Sequence, residues 1–254
     1  MKVYAMVNQK GGVGKTTSVI SLAAYLAEKK RVLIVDIDPQ ANATSGLGFD
    51  VPEDAATIYD VLLQEETAQD AVIHHPHLSI DVIPGDNNLA GAEVELVNAI
   101  GREHRLKEAL DSVADKYDYA LIDCPPSLGL LTVNALTASN SVIIPVQCEY
   151  LALEGLSQLS DTIQMVRKYL NPTLEIRGLI MTMYDSRTNL SRQVVEEVRS
   201  YFPGKVFRSI IPRNIRLSEA PSHGEPIKAY APTSSGAVAY KYLAAEIIKG
   251  DNGS

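Results

Sequence analysis

The sequence predicts a single α/β domain: a doubly wound, mostly parallel sheet with helices on both faces. Three observations carry that expectation. Apolar runs of strand length recur at residues 3–7, 32–35, 80–83, 119–122, 141–146 and 176–183. Most are continuous rather than alternating, as strands read when both faces are buried under helices. Between them, 16–29, 151–170, 190–201 and 237–249 place apolar residues at helical spacing, and this alternation runs the length of the chain.

The first strand runs into Asn8-Gln9-Lys10-Gly11-Gly12-Val13-Gly14-Lys15-Thr16-Thr17, and then comes a helix whose Val19, Ile20, Leu22, Ala23 and Leu26 share one side. Strand, glycine loop, Lys-Thr and amphipathic helix together are the context a nucleotide-phosphate cradle requires. Glycines let backbone N–H groups turn inward on phosphates, and the helix N-terminus adds its positive dipole end. In this reading Lys15 reaches the β- and γ-phosphates and the Thr16 hydroxyl ligates Mg²⁺, which makes the expected fold P-loop NTPase-like. The usual pattern G-x-x-x-x-G-K-[ST] wants Gly at position 9, where this chain has Gln, so the loop is a variant.

The second strand leads into Val35-Asp36-Ile37-Asp38-Pro39-Gln40. Two carboxylates at i and i+2 are expected to point the same way, toward the crevice at the carboxyl edge of the sheet. One suits a metal shell and the other an attacking water; alone, Asp-x-Asp-Pro is only a turn signal. Residues 50–70 follow, with seven acids and no Lys or Arg. His74, His75 and His77 look metal-like, but Pro76 breaks the spacing, so a loop is expected there. Tyr119-Ala120-Leu121-Ile122-Asp123 is an apolar strand ending in Asp, the Walker B form, which places a carboxylate beside the loop. Cys124 reads as a small buried residue and His223 as a loop residue.

Residues 185–216 hold seven cations against three anions, a surplus of four, which leaves −12 on the rest of a chain of net charge −8. Taken alone, both charged stretches read as solvated faces. The 254 residues, 46% hydrophobic and 21% charged, are ample for a sizeable core. One domain over residues 1–249 and a polar tail over 250–254 are expected. Two Cys, at 124 and 148, make no disulfide framework and fit a reducing cytoplasm. The least charged stretch, 124–148, is too broken by Pro and polar residues to span a bilayer. The first strand starts at once, so no signal peptide is expected.

Together these residues resemble the deviant Walker A ATPases and, among them, the ParA/Soj partitioning proteins of the small type without an N-terminal helix-turn-helix. Besides the loop, the resemblance is carried by Asp36-Ile37-Asp38-Pro39-Gln40-Ala41-Asn42-Ala43-Thr44-Ser45-Gly46-Leu47-Gly48, Asp123-Cys124-Pro125-Pro126-Ser127-Leu128 and Tyr184-Asp185-Ser186-Arg187-Thr188-Asn189-Leu190. It is carried as well by Ile211-Pro212-Arg213-Asn214-Ile215-Arg216-Leu217-Ser218-Glu219-Ala220-Pro221-Ser222-His223-Gly224, and covers roughly residues 2–248.

The resemblance implies an ATP hydrolase whose ATP is sandwiched between two protomers of a homodimer. Gly11, Gly12, Val13, Gly14, Lys15, Thr16 and Thr17 would bind the nucleotide. Lys10 would cross to the partner's phosphates, like an arginine finger supplied in trans. Asp38 would orient the hydrolytic water; Asp36 and Asp123 would support Mg²⁺ through water, beside Thr16. Pro212 and Asn214 would lie against the adenine. The family's dimers bind double-stranded DNA without sequence preference through residues matching Arg187 and Arg216, and a ParB-type partner stimulates hydrolysis. The implied location is cytoplasmic, on the nucleoid. An alternative is an ATP-gated regulatory scaffold acting on a replication initiator. A membrane-cycling ATPase similar to MinD is disfavoured, because residues 240–249 carry two cations and no basic face. An iron–sulfur relative is disfavoured by the absence of Cys-Pro-x-Cys.

Overall fold

A computed structural model describes residues 1–150 and 154–252. β1 (Lys2–Met6) leads through the glycine loop into α1 (Lys15–Leu26), and β2 (Val32–Asp36) into α2 (Asn42–Gly46) and α3 (Ile58–Leu63). β3 (Ile73–His74) and β4 (Ile80–Ile83) precede α4 (Leu89–Glu95) and α5 (Arg105–Asp111). Then come β5 (Tyr119–Asp123), α6 (Leu130–Ala138), β6 (Ser141–Gln147), α7 (Glu154–Tyr169), β7 (Glu175–Thr182) and α8 (Asn189–Tyr201). α9 (Ile215–Glu219), α10 (Ile227–Tyr230) and α11 (Ser235–Asn252) follow.

The strands form one sheet in the order β3-β4-β2-β5-β1-β6-β7, parallel except for the β3–β4 pair. Both faces are buried, as the continuous apolar runs predict. Val3, Ala5 and Val7 of the first strand and its end, with Leu33 and Val35 of β2, join a core that includes Leu62, Leu110, Leu136 and Leu159. Their neighbours Tyr4, Met6, Val32 and Ile34 face the opposite core, with Leu22 of α1 and Tyr240 of α11. This double burial is what an α/β sheet of one domain requires. Among the described residues, no helix is long and apolar enough to cross a membrane.

Two expectations are revised. The polar tail was expected from Gly250, but α11 continues through Asn252. Asp251 is drawn onto the amino edge of the sheet, where it accepts from the Tyr4 hydroxyl at 2.6 Å, Tyr119 at 2.9 Å and Arg177 Nε at 3.3 Å. His74 is not in a loop: it closes the two-residue β3, paired with Asp81 both in the ladder and through Nδ1 at 2.7 Å. Residues 253–254 of the expected tail and 151–153 of the expected helix lie outside the described residues.

Candidate active site

Parallel strands bring their carboxyl ends to one edge. In register, Met6 and Asp36 both lie opposite Asp123, so the glycine loop rises beside two carboxylates. The loop is fastened at its start by Asn8, whose Nδ2 donates to Pro145 O at 2.7 Å while Oδ1 accepts from Lys10 N–H at 2.9 Å. Gly12 and Gly14 hold φ of +73° and +91°, the left-handed region that a side chain resists. A Cβ on Gly11 or Gly12 would meet nothing within 4 Å, so the loop backbone borders open space on that side. Gly14 caps α1, and Lys15 is its first residue.

Beneath the loop the charges are out of water. Lys15 is 7% exposed and Nζ donates to Lys10 O at 3.3 Å. Burial pulls its pKa down, against the opposing pull of Asp123, Cys124 and Asp38. The Thr16 hydroxyl donates to Asp123 Oδ2 at 2.6 Å, while the buried Asp123 Oδ1 has no hydrogen-bond partner. Burial, then the neighbouring Asp36 charge, pushes the Asp123 carboxyl well up. Asp36 is pushed up to about 6 by burial, although Thr44 donates to its Oδ2 from both N–H and Oγ1 at 2.8 Å. Burial likewise raises the Cys124 thiol.

The two acids of Asp36-Ile37-Asp38 do not project as a matched pair off one strand. β2 ends at Asp36, and the chain turns so that Asp38 N–H donates back to Asp36 Oδ1 at 3.3 Å. Asp36 therefore clasps the segment 38–44 with both oxygens. Asp38 stays at the surface of the pocket, 8% exposed, with Oδ1 accepting from Gln40 N–H at 3.0 Å. Three carboxylates against one ammonium leave this floor short of positive charge. The Thr16 hydroxyl donates its hydrogen bond to Asp123 Oδ2 and keeps its lone pairs, and Asp123 Oδ1 is orphaned. That donor set fits a hard cation completed by water and phosphate oxygens, such as Mg²⁺. Among the described residues, no cluster of three His, Cys, Asp or Glu forms a closed protein cage for a metal.

Lys10 sits apart from Lys15. Its side chain is 41% exposed and turned outward, with Nζ 3.5 Å from Glu149 Oε2. Arg213 approaches the other oxygen of Glu149 at 3.6 Å. Beside the loop opens a cavity of about 400 Å³ whose lining includes Gly14, Thr17, Thr182, Pro212, Asn214 and Tyr240. Asn214 caps α9 by accepting from Arg216 N–H at 2.9 Å and donates to Ser235 Oγ at 2.8 Å. One amide N–H and one lone pair remain for a ligand. Arg187 and Arg216 are outside this pocket. Arg187 makes a two-pronged contact to Asp185 at 2.9 and 2.7 Å, and Arg216 reaches Glu219 at 2.8 Å.

Motif reading missed four contributors. Thr44 braces Asp36, and Thr182 Oγ1 donates to Val13 O at 2.8 Å to hold the loop. Glu149 organises the outer cations. Gly85 is required by close approach, since a Cβ there would lie 2.7 Å from Asp36 O and 3.1 Å from Asp38 O. Only Gly85 had a usable signal, the Pro84-Gly85 turn dipeptide.

A family model described as an AAA domain matches residues 1–176. The chain is 58% identical to the sporulation initiation inhibitor protein Soj of Bacillus subtilis over 247 residues, 97% of this chain and 98% of that one. It is 54% identical to the chromosome partitioning protein ParA of Myxococcus xanthus, over 98% of this chain and 89% of that one. A crystal structure described as cobyrinic acid a,c-diamide synthase from Mycobacterium smegmatis, with bound ADP and magnesium, superposes with a TM-score of 0.85. It is 40% identical and covers 96% of this chain and 93% of its own. With 58% and 54% identity over nearly its full length, the chain belongs to the ParA/Soj family of chromosome partitioning proteins.

Proposed function

We propose that the chain is an ATP hydrolase that segregates a chromosome or plasmid through a nucleotide-gated dimer. Two copies enclose ATP, the ATP-bound homodimer binds double-stranded DNA without sequence preference, and a ParB-type partner resets it by stimulating hydrolysis. The carrying observation is the opposite placement of two lysines in one loop. Lys15 is buried among the acids of its own site, whereas Lys10 is exposed and turned away from it. A cation in that outward position is available to a second copy.

In this reading the N–H groups of 11–17 and Lys15 bind the phosphates. Thr16 and, through water, Asp123 hold Mg²⁺, which when bound supplies positive charge to the transferred phosphoryl group. Asp36 keeps the segment carrying Asp38 in place, and Asp38 orients the attacking water. Lys10 of the second copy neutralises charge that develops as the phosphoryl group transfers. Pro212 provides a flat wall for the base and Asn214 a hydrogen-bonding edge. Arg187 and Arg216 meet DNA phosphates once a dimer presents two sets of them.

The test is the Asp38→Ala variant followed by light scattering and turnover. It should bind ATP, reach dimer mass and retain duplex DNA, with turnover lower by about 10²-fold or more, the usual cost of a lost acid–base group. Wild-type turnover would remove Asp38 from the mechanism. Monomer mass at every ATP concentration, in the variant and the parent alike, would overturn the dimer.

A further inference from the structure

The acidic stretch 50–70 has no part in the nucleotide pocket. Folded, it supplies α3, whose capping box uses Thr57 and Asp60 and leaves Glu65 and Glu66 exposed beyond its end. Next to it, α4 passes into a single 3₁₀ turn, Leu96–Asn98, which ends at Ala99 in extended backbone just before Ile100. Leu89, Ala92 and Leu96 face the core, while Val94, Val97 and Ile100 are 74%, 53% and 93% exposed. These three large apolar side chains, within seven residues, are exposed along one short stripe of chain.

The two features meet. Tyr59 of α3 donates to Glu95 Oε2 at 2.8 Å. That bond, with burial and the nearby charges of Glu95, Glu65 and Asp60, pushes the Tyr59 phenol up to about 12. Arg102, on Val97 O and Glu103, and Arg105, on Ile100 O, lie at the far end of the stripe, so the acids of Tyr59's surroundings rim its other side. A lone exposed apolar residue needs no explanation, but three within seven residues, beside the Tyr59–Glu95 pair, mark an interaction face.

We propose that this face docks a Lys/Arg-bearing amphipathic segment of a partner protein. Apolar residues of such a segment cover Val94, Val97 and Ile100, and its cations meet Glu95 and Glu65. Nucleic acid is repelled by the same rim. A second copy of this chain, presenting the identical patch across a two-fold axis, would set acid against acid. The face also connects to the floor of the nucleotide site. The chain enters α4 from Gly85, which lies against the carbonyls of Asp36 and Asp38 and donates to Thr44 Oγ1 at 3.3 Å. Thr57 donates to Asp86 at 3.1 Å, tying α3 to the same turn. Occupancy of the stripe thus acts on the segment that positions Asp38. This deepens the partner-stimulated reading above and rests on it for its kinetic half.

The probe is a fluorescent peptide of the Lys/Arg-rich N-terminal segment of the organism's ParB-type protein, titrated against the full chain with ATP and Mg²⁺. Val94→Ser/Val97→Ser/Ile100→Ser and Glu65→Lys/Glu95→Lys change only exposed side chains, so both variants should keep basal turnover and ATP-dependent dimer mass. Each should raise the peptide Kd at least tenfold and lose its stimulation of hydrolysis. Peptide affinity within twofold of the parent in both variants overturns the face and leaves the stimulated cycle standing. A parent chain that does not bind the peptide overturns both. Loss of dimer mass with peptide affinity intact assigns the face to a second copy and overturns the proposal.

Discussion

Lys15 and Lys10 belong to one loop, yet they live in different solvents. Lys15 shares a buried floor with Asp36, Asp38 and Asp123, where Asp36 is held by Thr44 and Asp123 Oδ1 has no hydrogen-bond partner among the described residues. Lys10, Arg213, Arg187 and Arg216 line a wet rim and are each held by one carboxylate, on Glu149, Asp185 or Glu219. Removing a charge from the floor strands its neighbours without water to replace it, so such groups act as a unit. Exposed ion pairs hold little free energy and are easily exchanged for another anion. A nucleotide switch needs both kinds of region: a floor that does not yield, and a rim whose cations can leave internal partners for phosphate.

The sharpest test of that division replaces the two lysines separately. Lys15→Ala removes the ammonium buried in the floor and should weaken ATP binding by about 100-fold or more, as expected for lost charge-assisted bonds worth ~3 kcal/mol. Lys10→Ala should leave monomer affinity for ATP within about threefold, since an exposed ion pair is all it loses, and should instead abolish dimer mass and turnover. Calorimetric titration with a non-hydrolysable analogue distinguishes the two. Equal losses of affinity would mean that floor and rim are one region.

The floor was readable in the sequence to the extent that local rules specify it. A glycine loop needs φ values that few residues tolerate, and strands buried on both faces must be apolar throughout, so β1, β2 and β5 with Lys15, Thr16 and Asp123 stood out. Thr44 and Gly85 did not. Their roles arise where segments far apart in sequence converge on Asp36; Pro84-Gly85 signals a turn, but neither residue advertises that contact. Asp38 was found by motif, but its turn back onto Asp36 depends on where β2 stops. The two-residue β3 carries no periodic signal and exists because His74 pairs with Asp81. The helical end of α11 is likewise tertiary: Asp251 looks like a tail residue until Tyr4, Tyr119 and Arg177 gather around it.

A second prediction concerns the cost of keeping the floor dry. Burial raises Asp36 to about 6, above the 3.8 of an unperturbed carboxyl, so between those values the folded chain binds more protons than the unfolded one. Its contribution to stability therefore falls as pH rises from about 4 to about 6 and stays reduced above that range. Thr44 opposes this by donating to the ionised form. Thr44→Val should accordingly cost ~2 kcal/mol near pH 7, where the lost partner served a charge, and ~1 kcal/mol near pH 4.5, where Asp36 is largely protonated. Urea unfolding of the nucleotide-free chain at both pH values measures the difference. An equal cost at both would show that Asp36 is not ionised in the folded chain, and the floor would be less charged than its acids suggest.

The smallest effect is expected at the rim, where the informative result is tighter binding. Glu219 accepts from Arg216 at 2.8 Å and from the Tyr230 hydroxyl at 3.1 Å. Glu219→Gln keeps an acceptor for Tyr230 and removes the charge that competes with DNA for Arg216. Thermal unfolding should shift by less than about 2 °C, as for a surface substitution without a packing change. DNA binding by the ATP-bound form should strengthen, and its log-affinity slope against log salt should steepen by about 0.9 for each additional DNA phosphate neutralised. Weaker DNA binding, or a fall of the transition by about 5 °C or more, would show that the Arg216–Glu219 pair builds the surface instead of masking it, and the rim would then share the rigidity of the floor.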